Sequence, residues 1–203
     1  MVNLALLLAL GQGALRRGCP HGSGGSSSSR GFLHGSGRAS VSRAHVRLGS
    51  QVTIHCVGKR RSASSSEAFT DAGYDEYALR TRTQVEVSTV WHRGDAELIA
   101  ALDRERAKRC AIVYLDEKGK LCTSIELSEL MYAALEEGGS RLSFVIGGAT
   151  GLPDELRPSA RTAGVQYLSL GKLTFTHQMA RLVLAEQIYR ATQIRAGTAY
   201  HKE

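Results

Sequence analysis

The chain has 203 residues, of which 42% are hydrophobic and 22% charged, an ordinary composition for one globular domain. Its net charge of +7 comes mostly from residues 1–50, which contain six arginines, no lysine and no acidic residue. Residues 51–203 are nearly balanced, so any nucleic-acid surface there has to be a local basic patch. The four cysteines show no CxxC pair and no Cys/His spacing of a zinc site, so we expect buried structural thiols and no metal.

Residues 1–50 have the composition of an organellar targeting segment. An apolar run, Val2–Leu10, is too short to span a bilayer, and glycine, serine and arginine follow it. Such a stretch cannot bury enough apolar surface to offset its ordering entropy. We therefore expect a disordered transit segment over 1–50 and one folded domain over 51–203, with a disordered tail that has no targeting role as the alternative. The composition does not separate chloroplast from mitochondrion, and of the two we favour the chloroplast.

From residue 51 onward, short β-rich runs alternate with helical patterns. In chain order, the pattern predicts a strand at 52–57, a helix at 64–80, a strand at 83–91, a helix capped by Asp95, a strand at 110–115, a helix from Ser124 to Gly138-Gly139, strands at 142–146 and 166–170, and a long helix at 176–195. This alternation is typical of an α/β domain with a mainly parallel sheet. Ligands of such sheets bind beyond the carboxyl ends of the strands, here at 115–119, 147–151 and 170–175.

Three segments could carry chemistry, and each also has a plainer interpretation. The loop 147–151 contains three glycines, but their spacing is not the GxGxxG dinucleotide fingerprint, and a tight turn explains them equally well. Thr174 and Thr176 can both cap the last helix, and His177 in its first turn is more often a packing or hydrogen-bonding histidine than a catalyst. The tail 197–203 could stack on a base and hold a phosphate, although a frayed terminus is the default.

Taken together, four blocks of the sequence resemble the RlmH family of SPOUT RNA methyltransferases. The blocks are 144–152, 168–178, 179–191 and 199–202, and they match the family in order and spacing, with Thr176 standing where members usually have proline. The resemblance implies a parallel sheet with helices on both faces and a carboxy-terminal trefoil knot that binds S-adenosylmethionine. It also implies a homodimer in which the partner's tail completes each site. The implied reaction is N3-methylation of a pseudouridine in helix 69 of large-subunit ribosomal RNA.

The resemblance assigns roles to particular residues. The implied cofactor-binding residues are Leu115, Gly147, Leu170, Gly171, Lys172, Leu173, Thr174 and Phe175. The implied tail residues are Tyr200, His201 and Lys202. We expect His201, with Tyr200, to act in catalysis, because an imidazole transfers protons near neutral pH. We expect Lys202, Arg181 and Arg190 to bind RNA.

Two other functions compete with an organellar rRNA methyltransferase. A non-catalytic, cofactor-binding ribosome-assembly factor could keep the same fold, although the intact 170–175 loop and 200–202 tail disfavour it. A nucleotide-binding oxidoreductase could use the 147–151 loop, but its glycine spacing is wrong and no ribose-binding acid is evident.

Overall fold

A computed structural model describes residues 49–60, 68–157 and 166–201. The predicted transit segment, apart from residues 49 and 50, lies outside the described residues, as does Lys202. In the described ranges, no helix is long and apolar enough to cross a membrane.

Five strands form one sheet in which every pairing is parallel. The strands are β1 (Gln51–Val57), β2 (Glu86–His92), β3 (Ala111–Leu121), β4 (Arg141–Ile146) and β5 (Gln166–Ser169), in the order β2-β1-β4-β3-β5. The helices are α1 (Ala68–Thr81), α2 (Asp95–Ala107), α3 (Ser124–Glu137) and α4 (His177–Ala196), with a short 3₁₀ turn at Asp154–Leu156. The predicted α/β class and parallel sheet are confirmed, while the trefoil knot stays a prediction.

The helices divide between the two faces of the sheet. One face packs against α1, α3 and α4 in a core that contains Phe144, Met131 and Leu184, all fully buried. The other face packs against α2, where Val145 and Leu98 belong to a second cluster. Phe144 and Val145 are neighbours in β4, and successive strand residues point to opposite faces. A central strand that is buried on both faces explains why four of the five residues in the predicted strand 142–146 are apolar.

The helix starts follow from local capping, with one correction. The Thr123 hydroxyl accepts from the Glu126 amide while the Glu126 carboxylate accepts from the Thr123 amide, a capping box that begins α3. We expected Asp95 to cap α2, but Gly94 is the N-cap and offers no side chain to the helix. The carboxylate of Glu97 instead accepts from the backbone amide of Arg93, so an acidic residue in the first turn secures this start.

The prediction of a loop at 115–119, beyond the end of a strand, is wrong. β3 continues to Leu121, and Leu168 of β5 pairs with both Leu115 and Lys120. Residues 116–119 therefore bulge out of a continuous strand rather than end it. A Cβ on Gly119 would lie 2.5 Å from the Leu168 carbonyl carbon, so the bulge closes only with glycine at that position.

Two buried histidines, on β1 and β2, should make the folded domain less stable in acid. His55 Nδ1 lies 3.0 Å from His92 Nε2, and both side chains are buried. Burial, then the neighbouring His92, lowers the pKa of His55 to about 4 from 6.5, with Glu105 opposing and Arg104 assisting. Burial also lowers the pKa of His92, against the attraction of Glu97.

Because the pKa of His55 is lower when folded, the unfolded chain binds more protons between pH 6.5 and about 4. The contribution of His55 to the free energy of unfolding is therefore fully present above pH 6.5. The free energy of unfolding then falls by roughly 3 kcal/mol as the pH drops through that window. Urea unfolding at pH 7.5, 6 and 5 measures the loss. His55→Gln removes one titrating group and should flatten the slope; an equally steep slope in this variant would refute the assignment.

Candidate active site

A cavity of about 500 Å³ lies beside the bulge of β3 and beyond the carboxyl ends of β4 and β5. Its size is in the usual range for a small-molecule or cofactor site. Of the residues predicted to bind the cofactor, Lys172 is exposed and is not among the lining residues. The others all line the cavity: Leu115, Gly147, Leu170, Gly171, Leu173, Thr174 and Phe175. Three segments that are far apart in sequence therefore meet at one place, as the parallel topology requires.

The loop after β4 forms one wall and folds back tightly on itself. Gly148 and Gly151 form an isolated antiparallel bridge, and a Cβ on Gly147 would lie 2.1 Å from the carbonyl carbon and oxygen of Gly151. No side chain fits there without moving backbone. Gly151 has φ of +85°, a conformation that favours glycine. The glycines thus serve close backbone approach.

Arg157 closes this loop from outside, and sequence reasoning missed it. Its Nε donates to the Leu152 carbonyl at 2.8 Å, and its guanidinium also donates to the Thr150 carbonyl at 3.0 Å. A positively charged donor satisfies carbonyls that the tight turn leaves unpaired. A lone arginine in a polar segment carries no sequence signal for this role.

The bulge of β3 adds charge to the cavity. Asp116, Glu117 and Lys118 line it, and the Asp116 carboxylate accepts from the Lys118 amide at 2.8 Å. The remaining wall is largely apolar, from Leu115, Ile146, Leu168 and Leu170. The cavity therefore offers an apolar slot, backbone groups and two carboxylates at its edge. The sequence pointed to this segment but not to its acidic residues.

The start of α4 forms the floor. Thr176 is the N-cap, its hydroxyl accepting from the Met179 amide at 3.3 Å, while Thr174 lines the cavity instead. The φ of Thr176 is −63°, the value that proline would impose. Threonine in place of proline therefore keeps the backbone conformation, and its hydroxyl adds an N-cap to α4. His177 lines the cavity next to this turn.

Arg181 contradicts its predicted role in RNA binding. Its side chain is buried and forms an ion pair with Asp71 of α1. A guanidinium without solvent access cannot contact phosphate, so Arg181 is removed from the RNA-binding set. The prediction for Arg181 rested only on its being a basic residue of a helix. The sequence does not show which side of α4 faces the interior.

The carboxy-terminal tail is docked on α4 rather than frayed up to residue 201. The Tyr200 hydroxyl donates to Glu186 at 3.2 Å, and Glu186 also accepts from Arg190 at 2.6 Å. Arg190 Cζ lies 4.9 Å from the Tyr200 ring centroid, and the Tyr189 ring meets that ring edge-on. Burial, with the Glu186 charge second, raises the pKa of Tyr200 to about 12. The structure thus brings together Tyr200 and Arg190.

Within one chain, the tail and the cavity stay apart. Neither Tyr200 nor His201 is among the lining residues. Glu186, which holds Tyr200, lies six residues beyond Ala180 of the cavity floor, about 9 Å along the helix axis. The Nδ1 atom of His201 is buried and has no hydrogen-bond partner among the described residues.

Outside the cavity lie the three cysteines that the structure describes. Cys56 and Cys110 are buried, and Cys122 is half-buried. Burial raises the pKa of Cys56 to about 12, despite the opposing positive charge of Arg181, so this thiol is not a nucleophile near neutral pH. No cluster of metal-ligating side chains occurs in the part of the chain that the structure describes.

Comparison with known proteins assigns the domain. The family model described as "Predicted SPOUT methyltransferase" matches residues 51–201. "Ribosomal RNA large subunit methyltransferase H" of Protochlamydia amoebophila is 38% identical over 152 residues, covering 75% of this chain and 99% of the relative. The chain belongs to the RlmH family of SPOUT methyltransferases.

One further relative and one solved structure were also found to be similar to this chain. The protein of the same name from Deinococcus radiodurans is 40% identical over 138 residues, covering 66% of this chain and 90% of the relative. The solved structure of a "probable methylase family protein" from Haemophilus influenzae is 14% identical, with a TM-score of 0.43 over 78% of this chain and 72% of that one, a similarity too slight to support an argument. The predicted family is confirmed.

Proposed function

We propose that the protein is an S-adenosylmethionine-dependent methyltransferase of large-subunit ribosomal RNA, acting on N3 of a pseudouridine in helix 69 of an organellar ribosome. The observation that carries this is the convergence of the 115–119, 147–151 and 170–175 segments on one cavity. Family membership supports the reaction type, and relatives named as ribosomal RNA large subunit methyltransferases support the substrate class.

The cavity fits S-adenosylmethionine by its volume and its chemistry. The apolar wall from Leu115, Ile146 and Leu168 suits an adenine ring, and the glycine-rich turn lets backbone groups reach polar atoms. Asp116 and Glu117 bring carboxylates and Lys118 and Arg157 bring cations to the same cavity, so charged groups of either sign on a ligand find partners there. When bound, the cofactor would supply an electrophilic methyl group on its sulfonium, with the neutral thioether as the leaving group.

The tail residues would then act on the RNA. His201 assists loss of the N3 proton or orients the base, because imidazole exchanges protons near neutral pH. Tyr200 stays protonated, since its pKa is about 12, so it serves as a hydrogen-bond donor that anchors the tail and not as a base. Arg190 and Lys202 would add positive charge for the RNA backbone.

The separation of tail and cavity supports a homodimer. Neither Tyr200 nor His201 lines the cavity of its own chain, so a tail that acts at the cavity would come from a second copy. Apolar surface is available for such packing: Phe69 and Leu79 on α1 are 58% and 64% exposed, and Leu173 at the cavity is 76% exposed.

The decisive experiment gives the full chain methyl-labelled S-adenosylmethionine and ribosomes whose helix 69 pseudouridine is unmethylated. Label in the RNA fragment that contains helix 69 is the expected result, and ribosomes lacking that pseudouridine are the matched control. Cofactor binding without label would instead favour the non-catalytic assembly factor. Absence of both would refute the proposal. Import of a reporter fused to residues 1–50 into isolated chloroplasts or mitochondria tests the organellar part.

A further inference from the structure

Arg181 is a buried charge that the proposed reaction does not use. It is 1% exposed and lies on α4, one turn after His177. Its guanidinium forms an ion pair with Asp71 of α1 and lies over two aromatic rings. The Cζ atom is 4.2 Å from the ring centroid of Tyr74 and 5.0 Å from that of Trp91. The side chain thereby connects α4 to both α1 and β2.

Stability is a poor explanation for this arrangement. Removing a guanidinium and a carboxylate from water costs more than most buried ion pairs regain, and apolar replacements of similar size are often equally stable or more so. The Arg181 Nε and the Gln178 Oε1 atoms are buried without a hydrogen-bond partner among the described residues, so the cluster is not fully satisfied. A charge between two ring faces does, however, fix their orientation.

The oriented ring leads to the cavity. Trp91 meets the His177 imidazole edge-on, with 6.4 Å between ring centroids. His177 lines the cavity, and its Nε2 atom lies 3.1 Å from the point where a Cβ on Gly58 would be. The next residue, Gln178, donates to the Lys59 carbonyl at 2.9 Å, which holds the loop after β1 against α4. His177 is thus confined between Trp91 and the Gly58 backbone.

We propose that Arg181 is a positioning residue of the cofactor cavity: by fixing the ring of Trp91 on β2, it holds His177 in place at the cavity wall. The part that concerns cofactor affinity rests on the proposed function. The ordering of Trp91 does not, because it depends only on the contacts within this chain.

The test compares Arg181→Met, Asp71→Asn and the double variant in the full chain. Methionine fills much of the arginine volume without its charge, but the single variant removes the buried cation that faces the Asp71 carboxylate. Arg60 lies 3.9 Å from that carboxylate but is 59% exposed, so its screened charge is a weak substitute. The double variant removes both charges and should regain thermal stability.

Two readouts separate positioning from folding. Trp91 is the sole tryptophan of the chain, so its near-ultraviolet circular dichroism reports the order of that ring alone among indoles. We expect this tryptophan signal to be weakened in Arg181→Met and to remain weakened in the stable double variant. Calorimetry with S-adenosylmethionine should show about tenfold weaker binding or worse in both. Arg104→Met, an exposed arginine of α2, is the matched control and should change neither readout.

The outcomes are distinguishable. Recovery of the tryptophan signal and of cofactor affinity together with stability in the double variant would show a merely structural pair and overturn the inference. A native tryptophan signal in Arg181→Met would overturn it as well. If the wild-type chain does not bind S-adenosylmethionine, the proposed function fails, while the tryptophan signal still decides whether Arg181 orders the ring.

Discussion

Gly147→Ala is expected to weaken binding of S-adenosylmethionine by at least about a hundredfold, equivalent to roughly 2.7 kcal/mol. A methyl group at this position would lie 2.1 Å from the Gly151 backbone and 2.5 Å from the Leu152 amide nitrogen. Backbone atoms cannot rotate away as a side chain can, so the whole turn from Gly148 to Leu152 has to open. That turn forms one wall of the cavity, and isothermal titration calorimetry measures the loss.

Two other glycines make this prediction specific. Gly94 has φ of −175°, which any residue adopts, and no atom lies within 4 Å of an added Cβ, so Gly94→Ala should bind the cofactor as the wild type does. At Gly148 the nearest atom is a Val57 methyl at 3.3 Å, so Gly148→Ala should have a small effect. Equal affinity in Gly147→Ala and Gly94→Ala would show that the cofactor does not contact this turn.

His201→Ala is expected to lower turnover by about a hundredfold or more while leaving cofactor affinity unchanged. Loss of a general acid–base group costs on the order of 10²–10⁴ in rate. The imidazole does not line the cavity of its own chain, and its proposed role at the cavity of a second copy is on the RNA base, so its removal should leave the cofactor-binding wall unchanged. Single-turnover methylation and calorimetry on the same preparation measure the two quantities separately.

Mixed dimers extend this test to the origin of the tail. If each cavity uses the tail of the partner, a chain with Gly147→Ala and a chain with His201→Ala should together form one working site. Co-purified mixed dimers should then recover up to about half of the wild-type rate per dimer, because one cavity has an intact turn and an intact tail. Activity no greater than the sum of the two parent variants would contradict partner delivery.

Much of the fold was predictable because its signals are local. The apolar-rich segments 110–115 and 142–146 predicted strands, and Ser124 and Gly138 correctly bounded a helix. The parallel topology then placed three loops at one edge of the sheet. Leu115, Gly147 and Phe175 do meet there, although the sequence separates them by tens of residues.

The errors occurred where tertiary packing overrides local pattern. Residues 116–119 are polar and contain glycine, which is typical of a loop. The residues before and after them both pair with β5, however, so they form a bulge within a strand. Arg181 is a charged residue on a helix that is half-exposed along much of its length, and the sequence does not show that Asp71, 110 positions away, neutralises it. Long-range charge pairing of this kind has no periodic signature.

The packing of α1 against α4 has a consequence for biosynthesis. The first helix of the described domain lies beside the last one, and Leu184 and Ile188 of α4 belong to the same core as Tyr74 of α1. While the chain is still being translated, that apolar surface has no cover until the final turns of α4 leave the ribosomal tunnel. The domain therefore reaches its native state only after α4 has left the tunnel, and a nascent chain that stalls before residue 184 should attract chaperones and proteases.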